Sequence, residues 1–175
     1  IVFFTGDNGM NMGHHGIYGK GNGTFPQNMF DTSVKVPAII SQPGRIPENS
    51  VSNALVSHYD YMPTILELVD ARLSIPNRDQ LPGRSIASIL AGRQESVHDH
   101  LVVYNEYGPV RMIRDSSWKY VHRYPYGPHE LYNLDDDPDE RFNLYDVPPY
   151  KEKWEELRNA LESWFCTYVD PTIDG

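Results

Sequence analysis

The first twenty residues constrain this chain more than any other stretch. A short apolar run, residues 1–4 (IVFF), ends at once in residues 5–9 (TGDNG). A continuous apolar run bounded by glycine predicts a strand buried on both faces, as in a parallel sheet. Ligands of such sheets bind at the carboxyl ends of the strands. Asp7 and Asn8 occupy that end, so they are the first candidates for a binding site.

Asp7 and Asn8 place a carboxylate and an amide oxygen side by side. Oxygen ligands of this kind suit hard cations such as calcium or magnesium better than zinc. The sequence Asp-Asn-Gly is also common in turns. Spacing alone therefore leaves a metal site and a plain turn both open.

A glycine-rich loop follows this strand and carries three further polar candidates. His14 and His15 are adjacent between two glycines, and Lys20 also lies between two glycines. The histidines are candidate metal ligands, proton donors or supporting groups, and a solvated or packed pair is the alternative. Lys20 can approach an anion closely because its neighbours lack side chains, with plain solvent exposure as the alternative.

The charge balance argues against nucleic acid as a partner. The 175-residue chain has a net charge of -9, and its 15 lysines and arginines form no run. Binding the phosphates of a nucleic acid requires a clustered basic surface. Because the net charge is negative, a small anionic substrate has to be attracted by a local cation or a metal ion. The apolar runs are far shorter than the roughly 20 residues of a membrane span. The compartment stays open, because a signal peptide can precede residue 1.

Residues 1–95 alternate strand and helix signals, which predicts an α/β arrangement. Residues 36–40 (VPAII) predict a second buried strand. Asp60 is expected to cap a helix that lies on the sheet, and a short helix is expected to start at Ser85 and end at Gly92. The side chains expected to face inward are Met62, Ile65, Leu66 and Val69 on the first helix, and Ile86, Ile89 and Leu90 on the second.

From about residue 100, short strands separated by turn signals predict a small antiparallel meander. Its strands are expected at residues 101–106, 110–114, 118–124 and 130–134, with the first turn at residues 107–109. A final apolar stripe at helical spacing predicts a C-terminal helix packed on the meander. The stripe consists of Tyr150, Trp154, Leu157, Leu161, Phe165 and Tyr168.

Two conspicuous features carry no predicted function. Cys166 is the single cysteine, which excludes an intrachain disulfide, and its apolar surroundings predict an inert core thiol. The acidic residues 135–140 (DDDPDE) lack the alternating ligand positions of a calcium-binding EF-hand loop, which predicts a solvated turn.

Several motifs along the chain occur in the order and spacing of one family. On these motifs the chain resembles the C-terminal part of sulfatases, members of the alkaline phosphatase superfamily. The resemblance covers nearly the whole chain. The matching stretches are residues 4–9, 13–16, 19–20, 34–40, 43–44, 56–60, 63–66, 81–85, 130–134, 137–140 and 143–144.

The resemblance implies an α/β fold with two parts. Residues 1–95 are expected to form the C-terminal part of the sulfatase catalytic domain, which belongs to an alkaline phosphatase-like sandwich. Residues 96–175 are expected to form a four-stranded antiparallel subdomain with a C-terminal helix.

The resemblance also implies roles for the early polar residues. In sulfatases the residues matching Asp7 and Asn8 bind a calcium ion, or sometimes a magnesium ion, and the lysine matching Lys20 contacts the sulfate. His15 matches a histidine that is frequent in this loop, which makes it the second catalytic candidate. The ion holds the sulfate and a formylglycine nucleophile together. The implied partner is a small sulfated substrate.

The chain departs from the family in lacking the nucleophile. Sulfatases convert a cysteine or serine in a Cys/Ser-x-Pro/Ala-x-Arg motif into formylglycine, and an N-terminal aspartate pair completes the metal site. Cys166 is followed by residues 167–170 (TYVD), which do not match. We expect the formylglycine to lie upstream, in a missing N-terminal half of the same protein. We therefore expect this chain to be inactive alone.

Two other functions compete with the sulfatase interpretation. A phosphodiester or phosphonate monoester hydrolase of the same superfamily shares the metal and lysine framework. A truncated or degenerate paralogue without catalytic function is the other alternative. The presence of Asp7, Asn8 and Lys20 together counts against decay, because an unused site has no reason to keep all three.

Overall fold

The strands and helices predicted from the sequence occur in the predicted order, and two short strands and a short helix lie between the first two of them. The computed structural model describes residues 1–71, 80–105 and 109–172. The strands are β1 (Val2–Thr5), β2 (Asn11–Met12), β3 (Tyr18–Gly19), β4 (Ala38–Ser41), β5 (Leu101–Asn105), β6 (Val110–Arg114), β7 (Trp118–Arg123) and β8 (Glu130–Asn133). The α-helices are α1 (Asp31–Val34), α2 (Tyr61–Leu68), α3 (Ala87–Leu90) and α4 (Lys151–Tyr168). Short 3₁₀ turns lie at His14–Gly16, Gly21–Gly23, His58–Asp60 and Pro148–Tyr150.

The chain packs as two compact units. The first consists of Ile1–Phe4 and Ile39–Leu101, and the second of Thr5–Ala38 and Val102–Gly175. The predicted division assigns residues 1–95 to a catalytic domain and residues 96–175 to a subdomain. It stays a prediction.

The second unit is built on the predicted four-stranded sheet, in the order β5-β6-β7-β8. β7 pairs antiparallel with β6, where Val121 is opposite Met112, and with β8, where Tyr120 is opposite Leu131. The ends of the predicted first strand and first turn, residues 106–108, lie outside the described residues. The meander and the C-terminal helix are otherwise where their sequence patterns predict them.

Each face of this sheet has its own core. α4 covers one face, where the predicted stripe packs on the sheet. The buried side chains there are Val102, Ile113, Tyr120, Leu131, Leu157, Leu161 and Phe165. The other face buries Val110, Met112 and Val121 against Met29, which precedes α1. The sheet therefore connects the C-terminal helix to the segment that carries the early polar residues.

The expected burial of the first two strands is wrong for this chain. Among the described residues β1 and β4 pair with each other in a two-stranded sheet. Phe4 on β1 and Ile39 on β4 are each 61% exposed. Strand side chains point out of the faces of a sheet and are buried only where another layer packs on those faces, so apolar composition alone did not determine burial.

The face that α2 buries also differs from the prediction. Met62, Ile65 and Val69 are exposed, whereas Pro63 and Thr64 are buried. The Thr64 hydroxyl donates to the Asp60 carbonyl at 2.6 Å and accepts from the Ile86 N–H at 3.0 Å. A polar residue is buried here because its hydrogen bonds are complete.

Asp60 serves the preceding turn instead of capping α2 with its side chain. Its carboxylate accepts the N–H groups of Ser57 and Arg84, each at 2.8 Å, and it lies 2.8 Å from His98 Nε2. α3 agrees better with the prediction, since Ile86 and Ile89 are buried at its start and within it.

Cys166 is exposed, contrary to the predicted core thiol. It follows the buried Phe165 on α4, and adjacent helical positions point in directions about 100° apart. None of the helices in the described part of the chain has the length and apolarity that crossing a membrane requires.

Candidate active site

Asp7 and Asn8 lie immediately after β1, at the strand end that the sequence predicts. Both residues are exposed. Asp7 Oδ1 accepts the backbone N–H of Asn8 at 2.8 Å. The pair thus forms a local turn that presents carboxylate and amide oxygens to solvent.

The next residue anchors this turn to α1. The Gly9 N–H donates to the Ser33 carbonyl at 2.8 Å. A Cβ atom at Gly9 would lie 2.1 Å from the Thr32 carbonyl oxygen, so only glycine allows the two backbones to approach this closely. The carboxylate and amide pair is therefore attached to a fixed part of the second unit.

The two histidines lie on the 3₁₀ turn His14–Gly16 and have different surroundings. His14 Nδ1 accepts the Met12 N–H at 3.4 Å. The His15 ring stacks on Phe30, with ring centroids 3.7 Å apart and planes 7° apart. Although His15 is exposed, the partial burial of its ring, followed by the nearby charge of His14, lowers the pKa of His15 below its ordinary value. Both effects favour the neutral imidazole over its charged form.

Lys20 is exposed between β3 and the 3₁₀ turn Gly21–Gly23. Its carbonyl accepts the Gly23 N–H at 2.9 Å, so its backbone is part of the turn while its side chain reaches solvent. This arrangement leaves a cation available to an anionic ligand.

The structure places all four predicted site residues on one segment of the second unit. Among the described residues no hydrogen bond or ion pair joins Asp7 or Asn8 to His15 or Lys20. Within residues 1–71, 80–105 and 109–172, no group of three or more His, Cys, Asp or Glu side chains is arranged to hold a metal ion. The roles of the four residues remain predictions.

Sequence reasoning misses a buried ion cluster behind this segment. Lys119 on β7 is fully buried, and its Nζ donates to the Met29 carbonyl at 3.1 Å and to Glu140 Oε1 at 2.6 Å. It also donates to Asp31 Oδ1. Arg114 Nη1 donates to both carboxylate oxygens of Asp31, at 3.0 and 2.9 Å. The start of α1 is thus tied to the sheet by charge-assisted bonds.

The two carboxylates of the cluster respond differently to burial. Burial opposes ionisation of Asp31, but the charges of Lys119 and Arg114 outweigh it and hold the pKa of Asp31 below its ordinary value. Burial raises the pKa of Glu140 above its ordinary value despite the neighbouring Lys119. Glu140 is 3% exposed, which corrects the expectation that residues 135–140 form a wholly solvated turn.

A sequence signal for this cluster does exist on β7. Lys119 is two residues before the buried Val121, so both side chains belong to the same face of the strand. A lysine in phase with a buried apolar residue indicates a buried ion pair. Its partners are 88 and 21 residues away in sequence, and local pattern cannot identify them.

Residues 13–165 match the family model described as N-sulphoglucosamine sulphohydrolase, C-terminal. The chain therefore belongs to the sulfatase family and corresponds to its C-terminal portion.

Individual relatives agree with this assignment. A sulfatase of Formosa agariphila is 32% identical over 98% of this chain and 34% of its own length. A structure of BT4656 in complex with its substrate D-glucosamine-2-N,6-O-disulfate matches 98% of this chain and 35% of the other, with a TM-score of 0.83 and 26% identity. The phosphonate monoester hydrolase of Agrobacterium radiobacter covers 97% of this chain and 36% of its own, with a TM-score of 0.77 and 25% identity.

These matches confirm the predicted α/β fold of the alkaline phosphatase-like class, with its small antiparallel sheet and C-terminal helix. The chain spans about a third of the length of the curated relatives it matches, 34% for the Formosa sulfatase.

Proposed function

We propose that this chain is the C-terminal part of an enzyme that hydrolyses sulfate monoesters of small molecules. Its membership of the sulfatase family over residues 13–165 carries the proposal. The loop geometry supports it, because Asp7, Asn8, His15 and Lys20 are all exposed on one segment anchored to the sheet. With a net charge of -9, the chain needs such local groups to attract an anion.

We propose that Asp7 and Asn8 hold a divalent cation, either calcium or, in its place, magnesium. Their donor set fits, since both side chains present hard oxygen atoms to solvent at the end of β1. When bound, such a cation polarises and orients a sulfate ester. Two side chains supply only part of the six to eight oxygen ligands that calcium takes, so the remaining ligands would come from outside this chain.

Lys20 and His15 are proposed to contact the sulfate group. The Lys20 ammonium carries three N–H donors that can bind sulfate oxygens and neutralise their charge. The His15 ring can donate an N–H to an oxygen of the ester. Its stacking on Phe30 fixes the plane of that ring.

The nucleophile, a formylglycine, is proposed to lie in an N-terminal part of the same protein. The exposed cysteine Cys166 is not in a matching motif. The exposed apolar side chains of β1 and β4 support an interaction with further residues of the same protein. We therefore propose that the 175 residues alone do not hydrolyse sulfate esters.

A phosphonate monoester or phosphodiester hydrolase is the second candidate. The structural similarity to the Agrobacterium radiobacter phosphonate monoester hydrolase favours it, with a TM-score of 0.77. Both reactions need an anion site built from a metal ion and a cation, so the residues of this chain serve either one.

The decisive experiment compares 4-nitrophenyl sulfate with bis(4-nitrophenyl) phosphate as substrates of the full-length protein that carries this chain. We expect a higher kcat/KM for the sulfate ester. Lys20→Ala and Asp7→Ala should each lower that kcat/KM by at least about 100-fold, as the loss of one preorganised charge-stabilising group does. Lys151→Ala and Asp99→Ala, at exposed positions in α4 and before β5, are the matched controls.

Each outcome bears on a separate part of the proposal. If the enzyme prefers the diester, the phosphonate monoester or phosphodiester hydrolase replaces the sulfatase as the proposed function. If it hydrolyses neither ester, a non-catalytic paralogue is favoured. Sulfate ester turnover by the isolated 175 residues would contradict the proposed inactivity. Calcium titration of Asp7→Ala by calorimetry tests the metal site, and unchanged affinity would contradict it.

A further inference from the structure

The backbone on both sides of Lys20 is held by two buried asparagines. Asn11 Nδ2 donates to the Gly19 carbonyl at 3.2 Å. Asn28 donates to the Gly21 carbonyl twice, from its backbone N–H at 3.0 Å and from Nδ2 at 3.2 Å. The residues before and after Lys20 are therefore each fixed by an amide from another part of the loop.

Ser33 on α1 joins the two asparagines. Its hydroxyl accepts from Asn11 Nδ2 at 2.7 Å and donates to Asn28 Oδ1 at 2.6 Å. Asn11, Asn28 and Ser33 are exposed by 0%, 4% and 4%, so water does not compete for these bonds. We call these three residues the asparagine clamp.

The clamp has one consistent hydrogen-bond direction. The Thr32 hydroxyl donates to Asn11 Oδ1, which leaves the Asn11 amide N–H groups facing Gly19 and Ser33. At the other end, Asn28 Nδ2 also donates to Thr24 Oγ1 at 3.1 Å. Rotating either amide would place two acceptors against each other, so the network has a single arrangement.

The clamp requires a close backbone approach beside Lys20. A Cβ atom at Gly21 would lie 2.9 Å from the Asn28 carbonyl oxygen, so glycine is needed for the contact. Lys20 itself remains exposed. The buried network thus restrains the main chain of Lys20 while its ammonium group is free to reach a ligand.

We infer that Asn11, Ser33 and Asn28 are positioning residues that act on the reaction through Lys20. The inference rests on the proposed function, in which Lys20 contacts the sulfate. None of the three is proposed to touch substrate, since all are buried behind the loop. Their effect is to keep the ammonium where charge develops, and misplacement of such a group by about 1 Å costs up to about 100-fold in rate.

A double-mutant cycle on the full-length protein tests this inference. Ser33→Ala should lower kcat/KM for 4-nitrophenyl sulfate by about tenfold, because the bridge between the two asparagines is lost. In a Lys20→Ala background the same substitution should change kcat/KM by less than about twofold. Ser163→Ala, at an exposed position of α4, is the matched control and should change neither value.

The cycle separates a positioning role from a purely structural one. An equal loss in both backgrounds, or no loss in either, would overturn the inference. Unchanged kcat/KM in Lys20→Ala alone would instead overturn the proposed role of Lys20. If Ser33→Ala does not fold, Thr24→Val replaces it. This change removes the outer acceptor of Asn28 and the hydrogen bond that the Thr24 hydroxyl donates to the Pro26 carbonyl, and it preserves side-chain size. Thr24→Val should lower kcat/KM by less than Ser33→Ala does, and only in the background that retains Lys20.

Discussion

The two faces of the four-stranded sheet bury different kinds of side chain. The α4 face is filled mainly by apolar and aromatic residues, and His122 is buried there beside Tyr120. The opposite face combines a small apolar cluster around Met29 with the ion cluster of Lys119, Asp31 and Glu140. Apolar packing is non-directional, whereas charge-assisted bonds depend on exact geometry. Both faces therefore contribute to stability, and the second also sets the position of the loop that carries the candidate site.

The largest expected effect is on the ion cluster. Lys119→Met should lower the free energy of unfolding by about 4 kcal/mol, because Glu140 is left buried without its partner. Urea denaturation followed by circular dichroism measures this change. Adding Glu140→Gln should recover part of the loss by removing the uncompensated charge. Lys151→Met, at an exposed position, is the control. A loss below about 1 kcal/mol would show that this face depends on apolar packing like the other.

A cavity on the α4 face is expected to come next. Leu157 is fully buried in this core, and Leu157→Ala should lower the free energy of unfolding by about 3 kcal/mol. The same urea measurement applies, with Val69→Ala at an exposed position of the first unit as control. If Leu157→Ala left the free energy of unfolding unchanged but weakened anion binding at the Lys20 loop, the α4 face would set the position of that loop, as the opposite face is expected to do.

The α4 face should also make stability depend on pH. Burial, followed by the nearby charge of His129, lowers the pKa of His122 to about 4. The unfolded chain binds this proton near the ordinary histidine pKa of about 6.5, so stability falls as the pH decreases from there towards 4. His122 alone should account for about 2 kcal/mol between pH 7 and pH 5. His122→Phe should remove that part of the slope in urea titrations at the two pH values, and an unchanged slope would assign it to other groups.

A smaller effect is expected where the loop meets α1. Gly9→Ala forces a Cβ atom against the Thr32 carbonyl, and the backbones must separate. We expect about 1 to 2 kcal/mol of destabilisation, as for other overpacked sites. Thermal unfolding measures it. Gly23→Ala is the control, because its φ is not in the left-handed region and its added Cβ atom would lie no closer than 3.7 Å to another residue. If both variants lost the same stability, the close contact with the Thr32 carbonyl would not be the cause of the loss.

Local sequence patterns predicted the meander and the C-terminal helix because each depends on short periodicities. The turn signals that separate β6, β7 and β8, and the helical stripe from Tyr150 to Phe165, are each recognisable within a few residues. The buried face of α2 was predicted wrongly for a related reason. Periodicity counts apolar residues, and it does not register that the Thr64 hydroxyl finds two backbone partners.

The candidate site was predictable in part. Asp7, Asn8, His15 and Lys20 were located by their residue types, their glycine neighbours and the resemblance to sulfatases. The residues that hold the loop in place could not be predicted from the sequence. Asn11 and Ser33 are 22 positions apart, and nothing in their immediate neighbours indicates that they are buried together.

The sequence by itself determined the order of the main strands and helices, the family and the residues exposed on the loop. Only the tertiary structure decided which polar groups are buried, such as the asparagine clamp, Lys119 and Glu140. The physical reason is that an apolar side chain is favoured in any core, whereas a polar one is buried only where matching partners meet it. Those partners come from distant parts of the chain, as Lys119 and Asp31 do across 88 positions.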